Sequence, residues 1–242
     1  GTVMTEVDGM VRRMEDVKRA GICTGCGACV ALDHSSLSAM QDSPEGPVPR
    51  FCSDSVLPDY AEQVCPGLGV DYPSLYRSHY HGLPANWLVG HVEKVRTGFS
   101  SSPAIRRAAA SGGVLTHTLM YLLETKRVES VIMARQGVPN PENARAVIAE
   151  SPSEVLAGAQ SVYIPVSMLD ILRELDARKR YAITCLPDQS AALRVMQQQG
   201  FQAARSIRYV VGPYTGTALC PAAIRCYLRS KRIRPDDAIA HL

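Results

Sequence analysis

Apolar and polar positions divide the chain into two parts of different character. In residues 3–20, apolar side chains recur every three or four positions, which predicts an amphipathic helix. Residues 21–90 show little periodicity and many turn-forming residues, including the glycine- and proline-rich run at 43–47, so they predict a loop-rich segment. We place the boundary of a small N-terminal module, residues 1–90, where this pattern ends.

From residue 91 onward, strand-like and helix-like patterns alternate. Strands are predicted at 92–99, 128–134, 144–149, 181–186 and 207–212. Helices are predicted at 111–125, 166–177, 189–199 and 218–230, with a further helix start at 151–154. Alternating strands and helices with short connections are typical of layered α/β domains. The predicted fold is therefore α/β, a sheet-and-helix domain over residues 91–242 that follows the small module.

Composition and charge exclude several classes of protein. Hydrophobic residues make up 46% of the 242 residues and charged residues 20%, which is typical of soluble globular proteins. The sequence has no apolar run close to the roughly 18 residues that cross a membrane, and no signal-peptide core. A net charge of +3 with 6% aromatic residues is too weak a signal for nucleic-acid binding. We expect a cytoplasmic protein with no membrane span and no nucleic-acid partner.

Eight cysteines are the strongest chemical signal in the chain. Cys23, Cys26 and Cys29 form a C-x2-C-x2-C run. Gly25 and Gly27 lie between them, and glycine allows the backbone to wrap tightly around a cluster. Three thiolates at this spacing are typical of a ferredoxin-type 4Fe–4S site, whose fourth cysteine can come from elsewhere in the chain.

The fourth ligand has to come from outside this run, because the residues directly after it contain no cysteine. Cys65 is the first candidate, since Pro66 turns the chain away from the cluster, and Cys52 is the second. A zinc site and three unligated thiols are the competing interpretations, although zinc sites normally use two C-x2-C pairs. The remaining cysteines lie in strand-like or helix-like runs and are predicted to be buried structural residues. They are Cys185, Cys220 and Cys226.

A glycine-containing turn at 110–114 carries anion-binding chemistry. It predicts a helix start with Ser111 as the N-cap, where the amides of Gly112 and Gly113 would favour a phosphate or the polar edge of a flavin. Arg106 lies just before the turn. The competing interpretation is an ordinary capped helix packed on a strand.

Two further loops could contact a ligand at the edge of the predicted sheet. Pro187, Asp188 and Gln189 follow a predicted strand, and ligands of α/β sheets bind beyond the carboxyl ends of the strands. These residues could contact a cofactor or cap the next helix. Tyr163 could face the same crevice or pack in the core.

These motifs occur in a characteristic order along the chain. The segments are 23–29, 65–67, Arg106 with 110–114, 161–166 and 186–194. In this order they resemble the beta-subunit family of coenzyme F420 hydrogenases and dehydrogenases, over about residues 20–235. The resemblance implies an N-terminal iron–sulfur segment and an α/β flavin domain. The residues that would contact the flavin are Arg106, Ser111, Gly112, Gly113, Val114, Tyr163, Pro187, Asp188 and Gln189.

The resemblance also implies an activity. The chain would be an iron–sulfur flavoprotein oxidoreductase that passes electrons between a 4Fe–4S cluster, FAD and an acceptor. The cluster ligands would be Cys23, Cys26, Cys29 and Cys65. The acceptor would be a deazaflavin coenzyme or another small organic molecule, and the partners would be a redox protein or other oxidoreductase subunits.

Two positions depart from the family pattern. Asp188 stands where the family usually has cysteine, and Val162 stands where it usually has lysine. Family members also commonly continue into a further cysteine-containing segment, so we expect a parent chain that extends past Leu242. These features leave two alternatives open: a cluster-bearing interaction subunit without flavin, and a ferredoxin-dependent reductase of another substrate.

Overall fold

The computed structural model of the chain describes residues 12–35, 37–140 and 143–234. The helix predicted over residues 3–20 falls only partly within these ranges. Its described part is helix α1, Met14–Arg19. The rest of that prediction and the chain end at Leu242 lie outside the described residues.

Within the described residues, the C-terminal part is built on a four-stranded mixed sheet with the strand order β4-β3-β5-β6. The strands are β3 Ser130–Gln136, β4 Ala144–Ala149, β5 Tyr181–Thr184 and β6 Ile207–Val211. Strands β3, β5 and β6 are parallel, and β4 pairs antiparallel with β3. The predicted α/β fold class is confirmed.

Helices cover both faces of this sheet. They are α5 Pro103–Ala108, α6 Val114–Glu124, α7 Pro152–Ala157, α8 Pro187–Gln198, α9 Gln202–Arg205 and α10 Pro221–Ser230. Side chains alternate along β3, so that Val131 packs with Leu119 of α6, whereas Ile132 packs in the cluster that contains Leu193 of α8. This alternation is what a strand buried on both faces requires.

The N-terminal part contains short elements that the sequence pattern did not reveal. They are α2 Ala28–Ala31, β1 Ala39–Asp42, β2 Pro47–Arg50, α3 Ala61–Val64, a 3-10 turn at Pro66–Leu68 and α4 Tyr72–Tyr80. Strands β1 and β2 form an antiparallel hairpin. Leu32 and Val64 of this part lie in the same cluster of buried residues as Ile183 and Leu193. The N-terminal part and the sheet therefore share one core.

Two predicted elements are wrong. Residues 92–99 form no strand, and all of them are exposed. Their alternation suits a strand, but no strand in the described part of the chain pairs with them. The helix predicted over 166–177 is only a 3-10 turn at Asp170–Glu174. The N–H of Leu169 donates to the carbonyl of Cys26 at 2.9 Å, so this amide is used in a tertiary contact instead of a helical one.

The side-chain carboxylate of Asp33 holds loops of the N-terminal part together by hydrogen bonds. Its side chain accepts hydrogen bonds from the Ser35 hydroxyl at 2.6 Å and from the backbone N–H groups of Ser38 and Val56 at 2.8 and 2.9 Å. The residue is only 4% exposed. Burial raises the pKa of the carboxyl, but these hydrogen bonds outweigh it and hold the pKa well below its usual range. Asp33 is therefore a buried carboxylate that closes the loop at 33–38 and joins it to the segment at Val56.

We expect Asp33→Ala to lower the free energy of unfolding by about 3 kcal/mol at pH 7, because it leaves buried donors without an acceptor. The exposed carboxylate Asp54 provides the control, and Asp54→Ala should change stability by less than about 0.5 kcal/mol. A carboxyl whose pKa is lowered by folding stabilises the protein above its unfolded pKa, and this contribution is lost as the pH falls below about 4. Urea unfolding should therefore show the gap between wild type and Asp33→Ala narrowing from pH 7 to pH 3. A gap that is constant with pH would contradict the assignment.

Candidate metal centre

The four predicted cluster cysteines line one cavity. Its wall consists of Cys23, Thr24, Gly25, Cys26, Gly27, Ala28, Cys29, Met40, Pro49, Cys65, Pro66 and Gly67. The loop at 23–29 forms one side and the turn at 65–67 the other, and the β1–β2 hairpin contributes the rest. Cys52 is not part of this wall; it is exposed, and its sulfur lies 3.4 Å from the carbonyl oxygen of Leu37.

Two glycines allow the loop to wrap around the cavity. Gly25 and Gly27 have φ angles of +69° and +84°, in the left-handed region that favours glycine. A Cβ atom on Gly25 would lie 2.5 Å from the carbonyl oxygen of Pro47, and one on Gly27 would overlap the hydroxyl of Ser167. The loop therefore needs glycine at both positions for conformation and for space.

Neighbouring elements hold both sides of the cavity in place. The N–H of Leu169 donates to the carbonyl of Cys26, and this hydrogen bond joins the cysteine loop at 23–29 to the segment that follows α7. Val17 of α1 packs against Gly67 so closely that no Cβ would fit there. The ammonium group of Lys18 donates to the carbonyl of Pro49 at 3.2 Å. Helix α1 thus contacts the cavity wall from outside.

The thiols are buried, and burial raises their pKa values. Burial raises the pKa of Cys26 to about 12. The pKa of Cys29 is also raised, by burial and then by the neighbouring thiols, and burial raises that of Cys65. Thiols in such a setting stay protonated at neutral pH unless a positive centre stabilises the thiolate. Binding a metal here would release protons.

Backbone N–H groups near these sulfurs partly offset the effect of burial. The N–H of Ala28 lowers the pKa of Cys26, and the N–H of Val30 lowers that of Cys29. The N–H groups of Gly67 and Leu68 lower the pKa of Cys65, and the N–H of Leu68 donates to the carbonyl oxygen of Cys65 at 3.1 Å. Hydrogen bonds to cysteine sulfur stabilise thiolates and are one means by which proteins set the potentials of iron–sulfur clusters. The donor set fits a thiolate-bound metal centre.

The spacing of the thiols bears on which metal centre would fit. No three His, Cys, Asp or Glu side chains in the described ranges are grouped so that they could hold one metal ion. The cysteines of a 4Fe–4S cluster each bind a different iron, so their sulfurs stand further apart than those around a single zinc ion. The four thiols line one cavity, and the iron and zinc content of the reconstituted chain distinguishes the two kinds of centre.

Asp188 lies beside this cavity, at the start of α8. Burial is the main cause of the raised pKa of Cys26, and the negative charge of Asp188 raises it further. Burial first, and then the charge of the same carboxylate, raises the pKa of Cys185 to about 12. Asp188, predicted as a flavin contact, is therefore near Cys26, one of the predicted metal ligands.

Gln189 makes its hydrogen bonds within the protein. It is 3% exposed; its side-chain oxygen accepts from the N–H of Leu186, and its amide donates to the carbonyl of Val166, both at 3.0 Å. It joins the first turn of α8 to the segment that carries the Leu169–Cys26 contact. Pro187, before it, is exposed and occupies the first position of α8.

The predicted anion-binding turn is present, but its cap differs from the expectation. Helix α6 begins at Val114, and its N-cap is Gly113 with a φ of +72°. Ser111 is exposed and does not cap the helix, because the left-handed glycine already turns the chain into it. Val114 is 53% exposed.

Two residues beside this turn were not singled out by the sequence analysis as site residues. The N–H of Ser100 donates to the carbonyl of Gly112 at 2.7 Å, and its hydroxyl lies 2.9 Å from Nδ1 of His117. The hydroxyl also accepts the N–H of Ser102 at 3.2 Å, and its second lone pair or its proton is used toward Nδ1, according to the tautomer of the imidazole. No spacing pattern links Ser100 to His117, which is why only the folded chain reveals the pair.

Arg106 and Tyr163, the remaining predicted flavin contacts, are exposed. The guanidinium of Arg106 lies 4.9 Å from the ring centre of Phe99, and Tyr163 is 50% exposed, not packed in the core.

Cys185 is buried as predicted, whereas the predicted burial of Cys220 and Cys226 is wrong. Helix α10 buries Ile224 and Leu228, and Cys226 falls between these positions on another face; Cys220 precedes the helix.

Comparison with known proteins bears on this fold. Residues 95–173 match the family described as Coenzyme F420 hydrogenase/dehydrogenase, beta subunit N-term. A chain in a structure of the F420-reducing [NiFe] hydrogenase complex from Methanosarcina barkeri is similar in fold, with a TM-score of 0.51 and 18% sequence identity over 57% of this chain. The match spans about half of that chain, 52% of its length. No curated protein matches the sequence.

The described part of the chain has no helix that is long and apolar enough to cross a membrane. The matched family segment begins after the cysteine loops and includes the α6 turn, both β3 and β4, and the contact at Leu169. The match and the fold similarity confirm the resemblance found in the sequence. Residues 95–173 of the chain are thus similar to the N-terminal segment of the beta-subunit family of coenzyme F420 hydrogenases and dehydrogenases.

Proposed function

We propose that the chain is an iron–sulfur flavoprotein subunit that transfers electrons between a 4Fe–4S cluster, FAD and a deazaflavin-type or other organic acceptor. The observation that carries the proposal is the single cavity lined by Cys23, Cys26, Cys29 and Cys65. A family segment shared with F420 hydrogenases and dehydrogenases supports the redox role. We propose that it acts with a redox protein or with other oxidoreductase subunits, since the similar structure is part of a hydrogenase complex.

At the cysteine cavity, the chain would supply thiolates and a fixed shape. A bound 4Fe–4S cluster accepts and donates single electrons. The amides of Ala28, Val30, Gly67 and Leu68 would stabilise negative charge on the sulfurs. Asp188 would oppose added negative charge at Cys26, which makes reduction at this site less favourable than it would be without the carboxylate.

At the α6 turn, the chain would supply donors for a phosphate or for the polar edge of a flavin. Because a short connection joins the end of α6 to the start of β3 and the two pack together, the start of α6 lies toward the carboxyl end of β3. Parallel β3 and β5 end at the same edge, so the α6 turn and the start of α8 share the edge where α/β folds bind ligands. The amides of Gly112 and Gly113, the imidazole of His117 and the guanidinium of Arg106 are the polar groups available there.

The test is anaerobic reconstitution of the chain with iron, sulfide and FAD. We expect about four iron and four sulfide per chain, a one-electron paramagnetic signal after reduction, and quenched flavin fluorescence on FAD binding. Iron and sulfide without FAD binding would support the cluster-bearing interaction subunit. A colourless chain that holds one equivalent of zinc would overturn the proposal.

A further inference from the structure

We propose that Gln189 is a positioning residue of the metal centre, and that it acts on the cysteine loop through the segment at 166–170. This inference rests on the proposed function and adds a residue to the site that the cysteines form. Gln189 lies outside the cavity wall, so it would hold the ligands in place without touching the metal. The inference comes from the hydrogen bonds of the Gln189 side chain and from the contacts of the segment that it holds.

The side-chain amide of Gln189 makes one local and one distant hydrogen bond. Its oxygen accepts the N–H of Leu186 at 3.0 Å, which is an ordinary bond at the start of a helix. Its nitrogen donates to the carbonyl of Val166 at 3.0 Å, 23 residues away in the chain. Gln189 is 3% exposed, so water does not replace either partner. The helix start needs only the first bond, and the second one joins α8 to another part of the fold.

The segment at 166–170 forms the back of the cysteine loop. The N–H of Leu169 donates to the carbonyl of Cys26 at 2.9 Å. The hydroxyl of Ser167 lies so close to Gly27 that a Cβ atom there would overlap it. Four of the five residues of the segment are buried, so it packs too tightly to shift alone. A displacement of this segment would therefore move the backbone of the cysteine loop.

Gln189 thus fixes the start of α8 relative to the cysteine loop. Burial is the main cause of the raised pKa of Cys26, and the charge of Asp188, on the same turn of α8, adds to it. Without the amide of Gln189, the carbonyl of Val166 would lose its donor in a buried place, and the loop could move relative to Asp188. Groups that hold and orient metal ligands affect both the affinity for the metal and its electronic properties.

The variant Gln189→Glu separates the two hydrogen bonds. An ionised carboxylate still accepts the N–H of Leu186 but has no proton to donate to Val166, whereas a protonated carboxyl makes both bonds. Because burial raises the pKa of a carboxyl, the protonated form is obtained at about pH 6 and the ionised form at about pH 9.5. The other ionisable groups on the surrounding elements are Cys26, Asp170, Cys185, Asp188 and Arg194. The wild type has the same groups, so it is the reference at each pH.

Two measurements on the reconstituted chain report on the cysteine loop. They are the rate at which a chelator removes iron and the paramagnetic spectrum of the reduced cluster. At about pH 9.5 we expect Gln189→Glu to lose iron about tenfold faster than the wild type and to show shifted g-values. At about pH 6 the variant should approach the wild type in both. Gln189→Met makes neither bond and should differ from the wild type at both pH values. Wild-type iron release and g-values in Gln189→Met would overturn the inference.

Gln197 on the same helix provides the matched control. Its side-chain nitrogen donates to the carbonyl of Ala204 at 2.9 Å, so it joins α8 to α9 and not to the cysteine loop. Gln197→Met removes this bond and should change the rate of iron release less than about twofold. Equal acceleration by Gln197→Met and Gln189→Met would mean that any loosening of α8 releases iron, and would refute a specific role of Gln189.

The chain without a cluster gives a readout that separates this inference from the proposed function. Alkylation followed by mass spectrometry measures how often the buried thiol of Cys26, 8% exposed, becomes accessible. We expect about tenfold faster alkylation in Gln189→Met than in the wild type, and less than about twofold in Gln197→Met. If the wild type assembles no cluster, the proposed function fails and the alkylation rates still test the positioning. If the cluster assembles but Gln189→Met changes neither iron release nor alkylation, only the positioning inference fails.

Discussion

Replacing Cys65 by serine is expected to reduce the iron content of the reconstituted chain from about four atoms to fewer than about one. Cys65 is the one predicted ligand outside the 23–29 run, and it lines the opposite wall of the same cavity. A serine hydroxyl is a harder and less acidic ligand than a thiol, so the cluster would lose a quarter of its protein ligands. Iron and acid-labile sulfide measurements on anaerobically reconstituted protein provide the readout.

Two other cysteines provide matched controls. Cys52→Ser removes the exposed thiol that sequence analysis considered as an alternative ligand, and it should leave the iron content unchanged. Cys185→Ser removes a buried thiol near Cys26 and shows what a perturbed core alone does to assembly. Iron loss in Cys52→Ser equal to that in Cys65→Ser would mean that the cavity is not the metal site.

Alanine in place of Gly27 should destabilise the chain by about 4 kcal/mol and prevent cluster assembly. Its φ of +84° costs a residue with a Cβ about 1 kcal/mol. The new Cβ would also overlap the hydroxyl of Ser167 and lie 2.7 Å from the backbone N of Asp170, and overpacking of this kind costs up to about 3 kcal/mol. The backbone of 167–170 would have to move, and with it the Leu169–Cys26 hydrogen bond.

A substitution at Gly21 is the control that separates the conformational cost from the steric cost. It has a similar φ of +68°, but a Cβ there would meet nothing within 4 Å. Gly21→Ala should therefore cost only the conformational part, about 1 kcal/mol, and retain the cluster. Urea unfolding and iron content of the two variants give the comparison, and indistinguishable results would refute the steric argument.

Local signals in the sequence predicted the chemistry of the site and several elements. The C-x2-C-x2-C spacing with its two glycines and Cys65 identified four residues that line one cavity. The start predicted at Ser151 is confirmed, since Ser151 and Glu154 form a capping box at α7. Strand β4 has the predicted bounds, Ala144–Ala149. These features depend on side chains close together in sequence.

Features that depend on distant partners were not predictable. Residues 92–99 have strand-like alternation, but a strand exists only where another one pairs with it. The segment 166–177 has helical spacing, yet Leu169 bonds to a residue far away in sequence. Asp33 and the pair of Ser100 and His117 carry no motif, because their partners come from loops that only the fold brings together.

The core that the N-terminal part shares with the sheet fixes the position of the cysteine loop relative to the sheet edge. Leu32 and Val64 pack with Ile183 and Leu193, and Leu169 holds Cys26 directly, so the cysteine loop cannot swing away from the sheet edge without opening the core. Many redox proteins carry a cluster on a tethered domain that moves between donor and acceptor. Here the shared core fixes the distance between the cysteine cavity and the sheet edge, so under the proposed function a cluster and a flavin would keep one separation throughout the reaction.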